Sequence, residues 1–364
     1  EYTMRSAASW GVVSAFTVFM AVSLAVPASA QTSASSQPQA SDSSTVPQPA
    51  APRNAAPAEN EQAQPGAAQS PDGQPTAEPG SGNDQGMFVF RKQVEEVVLH
   101  ATVVDDQQHL VTGLDRGDFQ IFENGVPQTI TSFRREDIPV EIGIVVDNSG
   151  SMRDKREQVG QGVLNLIRAS NPQDQVFVVN FGQNPYLDQD FTSNVNLLQA
   201  ALRQEASRGS TALYDAVSAS AVHLEHNPRL SKKVLLVITD GQDNMSQETL
   251  QETLRRLQKP DGPTLYSIGL LGSGLHSEGR EALQELANAT GGSAYFPDSL
   301  DQVDSITRAV AHDIRSQYII AFRPHNQNTH PDYQSLRVEA HSPGYGQLTV
   351  RTRSGFYAQN PPGH

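Results

Sequence analysis

Five oxygen-bearing side chains lie in three short stretches of this sequence, with a spacing that suits a hard metal ion. Asp147, Ser149 and Ser151 directly follow a long apolar run, Thr211 opens a helical pattern, and Asp240 lies just after a second apolar run. Residues at positions i, i+2 and i+4 of a loop can project toward one centre, and Mg²⁺ prefers about six oxygen ligands, some of them waters. We therefore expect these five residues to bind Mg²⁺, or Mn²⁺ or Ca²⁺ in its place.

The elements that must position these residues follow an alternating pattern from residue 138 to 316. Apolar runs typical of buried strands alternate with helical periods, which predicts an α/β fold: a doubly wound, Rossmann-like parallel sheet with helices on both faces. In such sheets the ligand crevice lies beyond the carboxyl ends of the strands, where all three stretches fall. The predicted strands are 140–146, 176–179, 234–238, 265–268 and 294–295; the predicted helices lie around 159–167, 195–202, 213–224, 250–257, 283–286 and 303–314, the last behind a capping box at Ser299 and Gln302.

Alternating apolar and polar residues on either side of this region predict a small antiparallel β module. Residues 86–137 contain strand patterns and the dipeptide Asn124-Gly125, a strong signal for a tight hairpin. Residues 317–358 contain further strand patterns. We expect the two segments to pair into one module, into which the α/β domain of residues 138–316 is inserted.

The N-terminal region is typical of an exported protein. Arg5 precedes an apolar stretch at 10–26, and the small residues of 27–30 form a cleavage site, which predicts a signal peptide over residues 1–30; an uncleaved anchor is the alternative. Residues 31–85 are rich in Pro, Ala, Ser and Gln and contain no aromatic residue, so they predict a disordered linker. The expected location is periplasmic, cell-surface or secreted, with no membrane span left after cleavage.

Composition excludes several classes of function. A net charge of −14, from 26 basic and 40 acidic residues, disfavours a nucleic-acid-binding protein, because such proteins cluster Lys and Arg against phosphates. The chain has no cysteine, which rules out disulfides, thiolate metal sites and cysteine nucleophiles. A bound metal must therefore use oxygen or imidazole ligands.

The order of the three stretches is more specific than any one of them. The pattern Asp-x-Ser-x-Ser occurs by chance in roughly one chain in ten of this length, and turns or helix caps explain each stretch singly. Together, 147–151 after one buried strand, Gly209-Ser210-Thr211 at a helix start and Thr239-Asp240-Gly241 after another strand resemble the metal-ion-dependent adhesion site of von Willebrand factor A-type domains. The resemblance covers about residues 138–316, and the flanking segments look like a bacterial subgroup of exported A-domain proteins.

The resemblance implies a role for each predicted ligand. Ser149, Ser151 and Thr211 would supply hydroxyl ligands, whereas Asp147 and Asp240 would act directly or through bound waters. An acidic side chain of a protein partner would complete the coordination. The implied function is non-enzymatic, cation-dependent protein binding, and no catalytic residue is predicted. The first alternative is a structural envelope protein whose ion only stabilises loops, and the second, less favoured one is a metal-dependent hydrolase. The sequence identifies neither the partner nor the oligomeric state.

Other polar residues have ordinary explanations beside the functional ones. Asp215, one turn after Thr211, is either a residue that orients the ligands or simply an acidic residue at a helix start. The remaining candidates are more typical of solvent-facing residues, turns and loops than of metal or phosphate sites: His223 and His226 on one helix face; Asp105, Asp106 and Asp118 in turns; and the glycine-rich stretch 269–274.

Overall fold

The computed structural model describes residues 96–203, 209–226, 228–270, 277–324 and 333–358, all within one compact unit, Gly86–His364. The predicted signal peptide 1–30 and linker 31–85 lie outside the described residues. The strands are β1 Val97–Val104, β2 Phe119–Glu123, β3 Val126–Gln128, β4 Ile130–Arg134, β5 Val140–Asp147, β6 Gln175–Phe181, β7 Pro185–Thr192, β8 Lys232–Thr239, β9 Thr264–Gly269, β10 Ala294–Tyr295, β11 Tyr318–Phe322, β12 Tyr333–Ala340, β13 Thr349–Arg351 and β14 Gly355–Tyr357. The α-helices are α1 Arg156–Ala169, α2 Val195–Leu202, α3 Leu213–His226, α4 Leu250–Leu257, α5 Ser277–Thr290 and α6 Val303–Arg315.

A six-stranded sheet in the order β10-β9-β8-β5-β6-β7 forms the centre of the α/β region. Every pairing is parallel except that of β7 with β6. Each residue of β5 is buried, as expected for a central strand covered on both faces. Apolar side chains of α1, α2 and α6 form the core on one face, and those of α3, α4 and α5 form the core on the other. The predicted α/β class, with a doubly wound sheet, is confirmed.

Two four-stranded antiparallel sheets, in the orders β13-β1-β11-β4 and β14-β12-β2-β3, form a β module. Strand β4 precedes the α/β region and β11 follows it, yet the two are hydrogen-bonded neighbours. Strand β2 likewise pairs with β12. The apolar core of the module contains Leu99, Ile121, Tyr318 and Phe322. Thus the α/β region leaves the module at one strand and returns to the neighbouring one.

The predicted hairpin turn is confirmed, whereas the predicted capping box is wrong. Asn124 and Gly125 have φ of 50° and 79° and join β2 to β3, as expected for a two-residue hairpin. The expected capping box at Ser299 is wrong: Ser299 precedes a short 3₁₀ turn and its side chain makes no capping hydrogen bond. A capping box instead begins α4, where Thr249 and Glu252 bond to each other's backbone N–H groups.

Candidate metal centre

The two acidic candidates lie at the same edge of the central sheet. Asp147 is the last residue of β5, and Asp240 directly follows β8. These strands are parallel neighbours, with Val146 beside Ile238, so both carboxylates emerge at the carboxyl ends of adjacent strands. Such an edge is where an open α/β sheet places a ligand.

Three of the predicted ligands form a connected row of oxygen atoms. The Oγ atoms of Ser149 and Ser151 lie 3.1 Å apart, and the Ser151 hydroxyl donates a 2.8 Å hydrogen bond to Oδ1 of Asp240. Adjacent ligands of an octahedral Mg²⁺ ion with bonds of 2.0–2.1 Å lie about 2.9 Å apart. The row therefore has the spacing of neighbouring ligands of one small cation, and these residues fit such an ion.

Asp147 is fully buried and is held by hydrogen bonds at both carboxylate oxygens. The backbone N–H of Ser149 donates to Oδ1 at 2.7 Å, and the Thr239 hydroxyl donates to Oδ2 at 2.6 Å. Burial raises the pKa of Asp147, the neighbouring charge of Asp240 adds to this, and the two hydrogen bonds oppose it. A nearby cation would favour the charged form of this carboxyl.

Thr211 enters the site from a third loop. Its backbone N–H donates to Oδ1 of Asn244 at 2.8 Å, and its carbonyl accepts from the Asn244 N–H at 3.0 Å. A Cβ atom at Gly241 would lie 3.3 Å from Thr211 Oγ1 and 3.9 Å from Asp147 Oδ2. Thr211 and Asp147 thus both lie beside Gly241, and the structure brings all five predicted ligands to one edge.

The segment 243–248 is tied to the start of α3 by a network that sequence reasoning missed. The Asp215 carboxylate accepts the backbone N–H groups of Gln247, at 3.0 and 3.1 Å, and of Glu248, at 2.9 Å. In return, the Ser246 hydroxyl accepts the N–H of Asp215 at 3.1 Å. Asp215 thus lies in the first turn of α3 and also holds the loop that binds Thr211. No local signal predicts these contacts, because the partners are more than thirty residues apart.

Lys155, which was also not predicted, lies beside the ligands. Its ammonium group donates to Oδ2 of Asp240, so both oxygens of this carboxylate are bonded. The Asp240 side chain is only 1% exposed, compared with 26% for Lys155. The signal in the sequence was a basic cluster, Arg153, Lys155 and Arg156, directly after the Ser151 stretch.

The region that contains the candidate ligands matches a known protein family. The family model of the von Willebrand factor type A domain matches residues 142–242, which include all five predicted ligands. The chain contains a von Willebrand factor type A domain. No curated protein matches the chain at a significant level.

Several solved structures are similar to part of this chain. Proximal thread matrix protein 1 from the mussel byssus is 17% identical, with a TM-score of 0.45, over 53% of this chain and 51% of that one, so the chain spans about half the length of this relative. A von Willebrand factor type A structure from Catenulispora acidiphila is 13% identical, with a TM-score of 0.44, over 72% and 73% of the two chains. The vWF domain of the pilus tip protein Mfa5 from Porphyromonas gingivalis is 11% identical, with a TM-score of 0.42, over 49% and 95%.

The two histidine candidates of the A domain, His223 and His226, both lie on α3. His223 Nε2 lies 2.9 Å from Oδ1 of Asp190, whereas His226 Nδ1 lies 3.0 Å from the carbonyl oxygen of Val222. The two rings therefore have separate partners. Within the described ranges, no group of three or more His, Cys, Asp or Glu residues is arranged to hold a metal.

Asp105 and Asp118, candidates in turns of the β module, have structural partners. Asp105 accepts the backbone N–H groups of Gln107 and His109, and Asp118 accepts that of Asp115. These contacts are typical of turn-forming aspartates. Most of the glycine-rich stretch, residues 271–274, lies outside the described residues. In the part of the chain that is described, no helix is both long and apolar enough to cross a membrane.

Proposed function

We propose that the A domain binds one divalent cation, Mg²⁺ or a similar ion, and through it holds an acidic side chain of a protein partner. Ser149, Ser151 and Thr211 would contribute hydroxyl oxygens, and Asp147 and Asp240 would act directly or through waters. The observation that carries this proposal is the row of oxygens from Ser149 through Ser151 to Asp240, whose 3.1 and 2.8 Å spacings suit adjacent ligands of one ion.

The charge of the site supports capture of an anion. The two carboxylates of Asp147 and Asp240 balance a divalent cation, and the Lys155 ammonium adds one positive charge beside them. The filled site therefore attracts a carboxylate, because opposite charges attract most strongly where water is partly excluded. Gly150 and Ser151 are exposed, so a partner can approach this edge of the sheet.

The loops that carry the ligands are already held by protein groups, which favours binding over a purely structural role for the ion. Thr211 is bonded to Asn244, and the Asn244 loop is bonded to Asp215. Asp147 is bonded to Thr239. A cation is therefore not needed to connect the three loops. The signal-peptide pattern supports a location for this binding outside the cytoplasm, in the periplasm, at the cell surface or in the medium.

Calorimetric titration of Mg²⁺, Mn²⁺ and Ca²⁺ into the full chain tests the cation site. We expect saturable binding of one ion, lost in Asp147→Ala and in Asp240→Ala. Asp190→Ala is the matched control, because its carboxylate lies outside the site and bonds to His223; it should bind like the native chain. Absence of binding in the native chain, or its survival in both site variants, contradicts the proposal.

A second measurement separates partner capture from a structural ion. Thermal unfolding of the native chain is compared with and without chelator, and proteins of the expected compartment are captured on the immobilised chain in both conditions. A binding module should keep most of its thermal stability and lose a specific partner when the cation is removed. A large drop in the melting temperature without any cation-dependent partner would favour the structural role.

A further inference from the structure

Lys155 contacts Asp240, one of the two acidic side chains proposed to bind the cation. Its ammonium donates to Oδ2 of Asp240, while Oδ1 of the same carboxylate accepts the Ser151 hydroxyl at 2.8 Å. The side chain of Asp240 is almost fully buried whereas that of Lys155 is partly exposed, so the ammonium is the more solvent-accessible member of the pair. An ion that coordinates Oδ2 competes with the ammonium for this oxygen.

The backbone of Lys155 is fixed, but its side chain has room to move. Its N–H donates to the Met152 carbonyl at 2.9 Å, and its own carbonyl accepts the N–H of Val159 at 3.0 Å, in the first turns of α1. The side chain has four rotatable bonds beyond this anchor, and a quarter of it is exposed. The ammonium can therefore leave Asp240 without any movement of the helix.

The position of this charge affects a metal ion in two ways. The ammonium occupies a carboxylate oxygen that the ion could use, and after displacement it still lies close to the ion and repels it. Both effects weaken cation binding, and the repulsion is strong in a partly buried site, where the effective dielectric constant is low. Neither effect requires a change in the fold.

We infer that Lys155 is a tethered competitor of the divalent cation, which lowers the affinity of the site by holding Oδ2 of Asp240. This inference rests on the proposed function, since it concerns the same cation site. It assigns to Lys155 a role in setting the cation concentration at which the site fills. A site with this built-in competitor fills at a higher cation concentration than the same site without it.

Calorimetric titration of Mn²⁺ into the full chain, in the native form and with Lys155→Met, tests the inference. The methionine side chain keeps most of the length of lysine but has no charge. We expect Lys155→Met to bind Mn²⁺ at least about tenfold more tightly, and Lys155→Arg, which keeps the charge, to stay within about threefold of the native chain. Arg153→Met is the matched control, because Arg153 is an exposed cation of the same loop that has no contact with Asp240 in the structure; its affinity should change less than that of Lys155→Met.

A second readout separates competition from a purely structural role. In chelator, Lys155→Met should unfold at a lower temperature than the native chain, because Asp240 loses the ammonium that it contacts in the structure; saturating Mn²⁺ should close this gap. Unchanged or weaker Mn²⁺ binding in Lys155→Met, while the native chain binds, overturns the inference and leaves the cation site standing. A native chain that binds no Mn²⁺ overturns the proposed function and this inference together.

Discussion

The hydroxyl of Thr239, the last residue of β8, donates a 2.6 Å hydrogen bond to Oδ2 of Asp147, the last residue of the neighbouring strand β5. Both residues are fully buried. The bond therefore fixes the orientation of a buried carboxylate. Since Asp147 is a predicted ligand, this contact between two strand ends bears on both stability and cation binding.

Replacement of Thr239 by valine should impair both properties. Valine has nearly the same shape but no hydroxyl, so the buried Oδ2 of Asp147 loses a donor, which costs about 1–3 kcal/mol of unfolding free energy. Cation affinity should fall several-fold, because the carboxylate is no longer oriented. Urea unfolding and Mn²⁺ calorimetry measure the two effects. Thr239→Ser keeps the hydroxyl and is the control; equal behaviour of the valine and serine variants would contradict this account.

Loss of the Asp215 carboxylate should loosen the loop that binds Thr211. In Asp215→Ala, the backbone N–H groups of Gln247 and Glu248 lose their acceptor, and we expect faster hydrogen exchange at both. Cation affinity should fall as well, since Asn244 of this loop bonds to Thr211. Asp215→Asn retains one oxygen acceptor and should show a smaller effect. Unchanged exchange at Gln247 and Glu248 would mean that other contacts hold the loop.

Much of the α/β region was predictable because its strands are nearly continuous apolar runs. The run at 140–146 ends directly before Asp147, and the run at 234–238 ends two residues before Asp240, so strand order alone brings both to the same kind of edge. The edge strand β7 was missed. Its residues are mostly polar and partly exposed, and its strand conformation depends on antiparallel pairing with β6, which no local pattern reveals.

The spacing of residues predicted the ligands, but it did not predict the hydrogen bonds and the ion pair that hold them. The hydrogen bond from Thr239 joins residues 92 positions apart, and the ion pair of Lys155 with Asp240 joins residues 85 apart. Such partners are set by how loops pack after the sheet has formed. Whether the five oxygens bind a metal stays a prediction, as do the boundaries assigned to the domains.

Protonation of His100 should destabilise the chain in mild acid. Burial, together with the positive charges of Lys232 and Arg353, lowers the pKa of His100 from 6.5 to about 3. Below pH 6.5, His100 is therefore protonated in the unfolded chain but stays neutral in the folded chain. The free energy of unfolding falls as pH falls from about 6.5 toward 3, by up to about 1.4 kcal/mol per pH unit.

The matched variant is His100→Gln, which keeps a polar side chain without this titration. Between pH 7 and pH 5 it should lose about 2 kcal/mol less unfolding free energy than the native chain. Urea unfolding at both pH values gives this difference directly. Identical losses in the two chains would show that His100 gains its proton in the folded state at an ordinary pH.

Asp313 should affect stability without affecting the cation site. Its buried carboxylate, near the end of α6, accepts the Thr102 hydroxyl of β1 at 2.6 Å and bonds to Arg351 of β13 at 3.0 Å. The adjacent Ile314 carbonyl accepts a hydrogen bond from Lys232, the first residue of β8. This contact between the A domain and the β module therefore lies at the amino edge of the sheet, opposite the predicted ligands.

In Asp313→Ala, Thr102 and Arg351 lose a charged partner, and bonds of this kind contribute about 1.5–3 kcal/mol each. The unfolding free energy should fall by about 2 kcal/mol or more, while Mn²⁺ affinity stays within about twofold of the native value. Asp240→Ala should show the opposite pattern, with cation binding lost. A parallel loss of cation affinity in Asp313→Ala would mean that the β module and the ligand edge are energetically coupled through the sheet, since no described contact of Asp313 reaches the site.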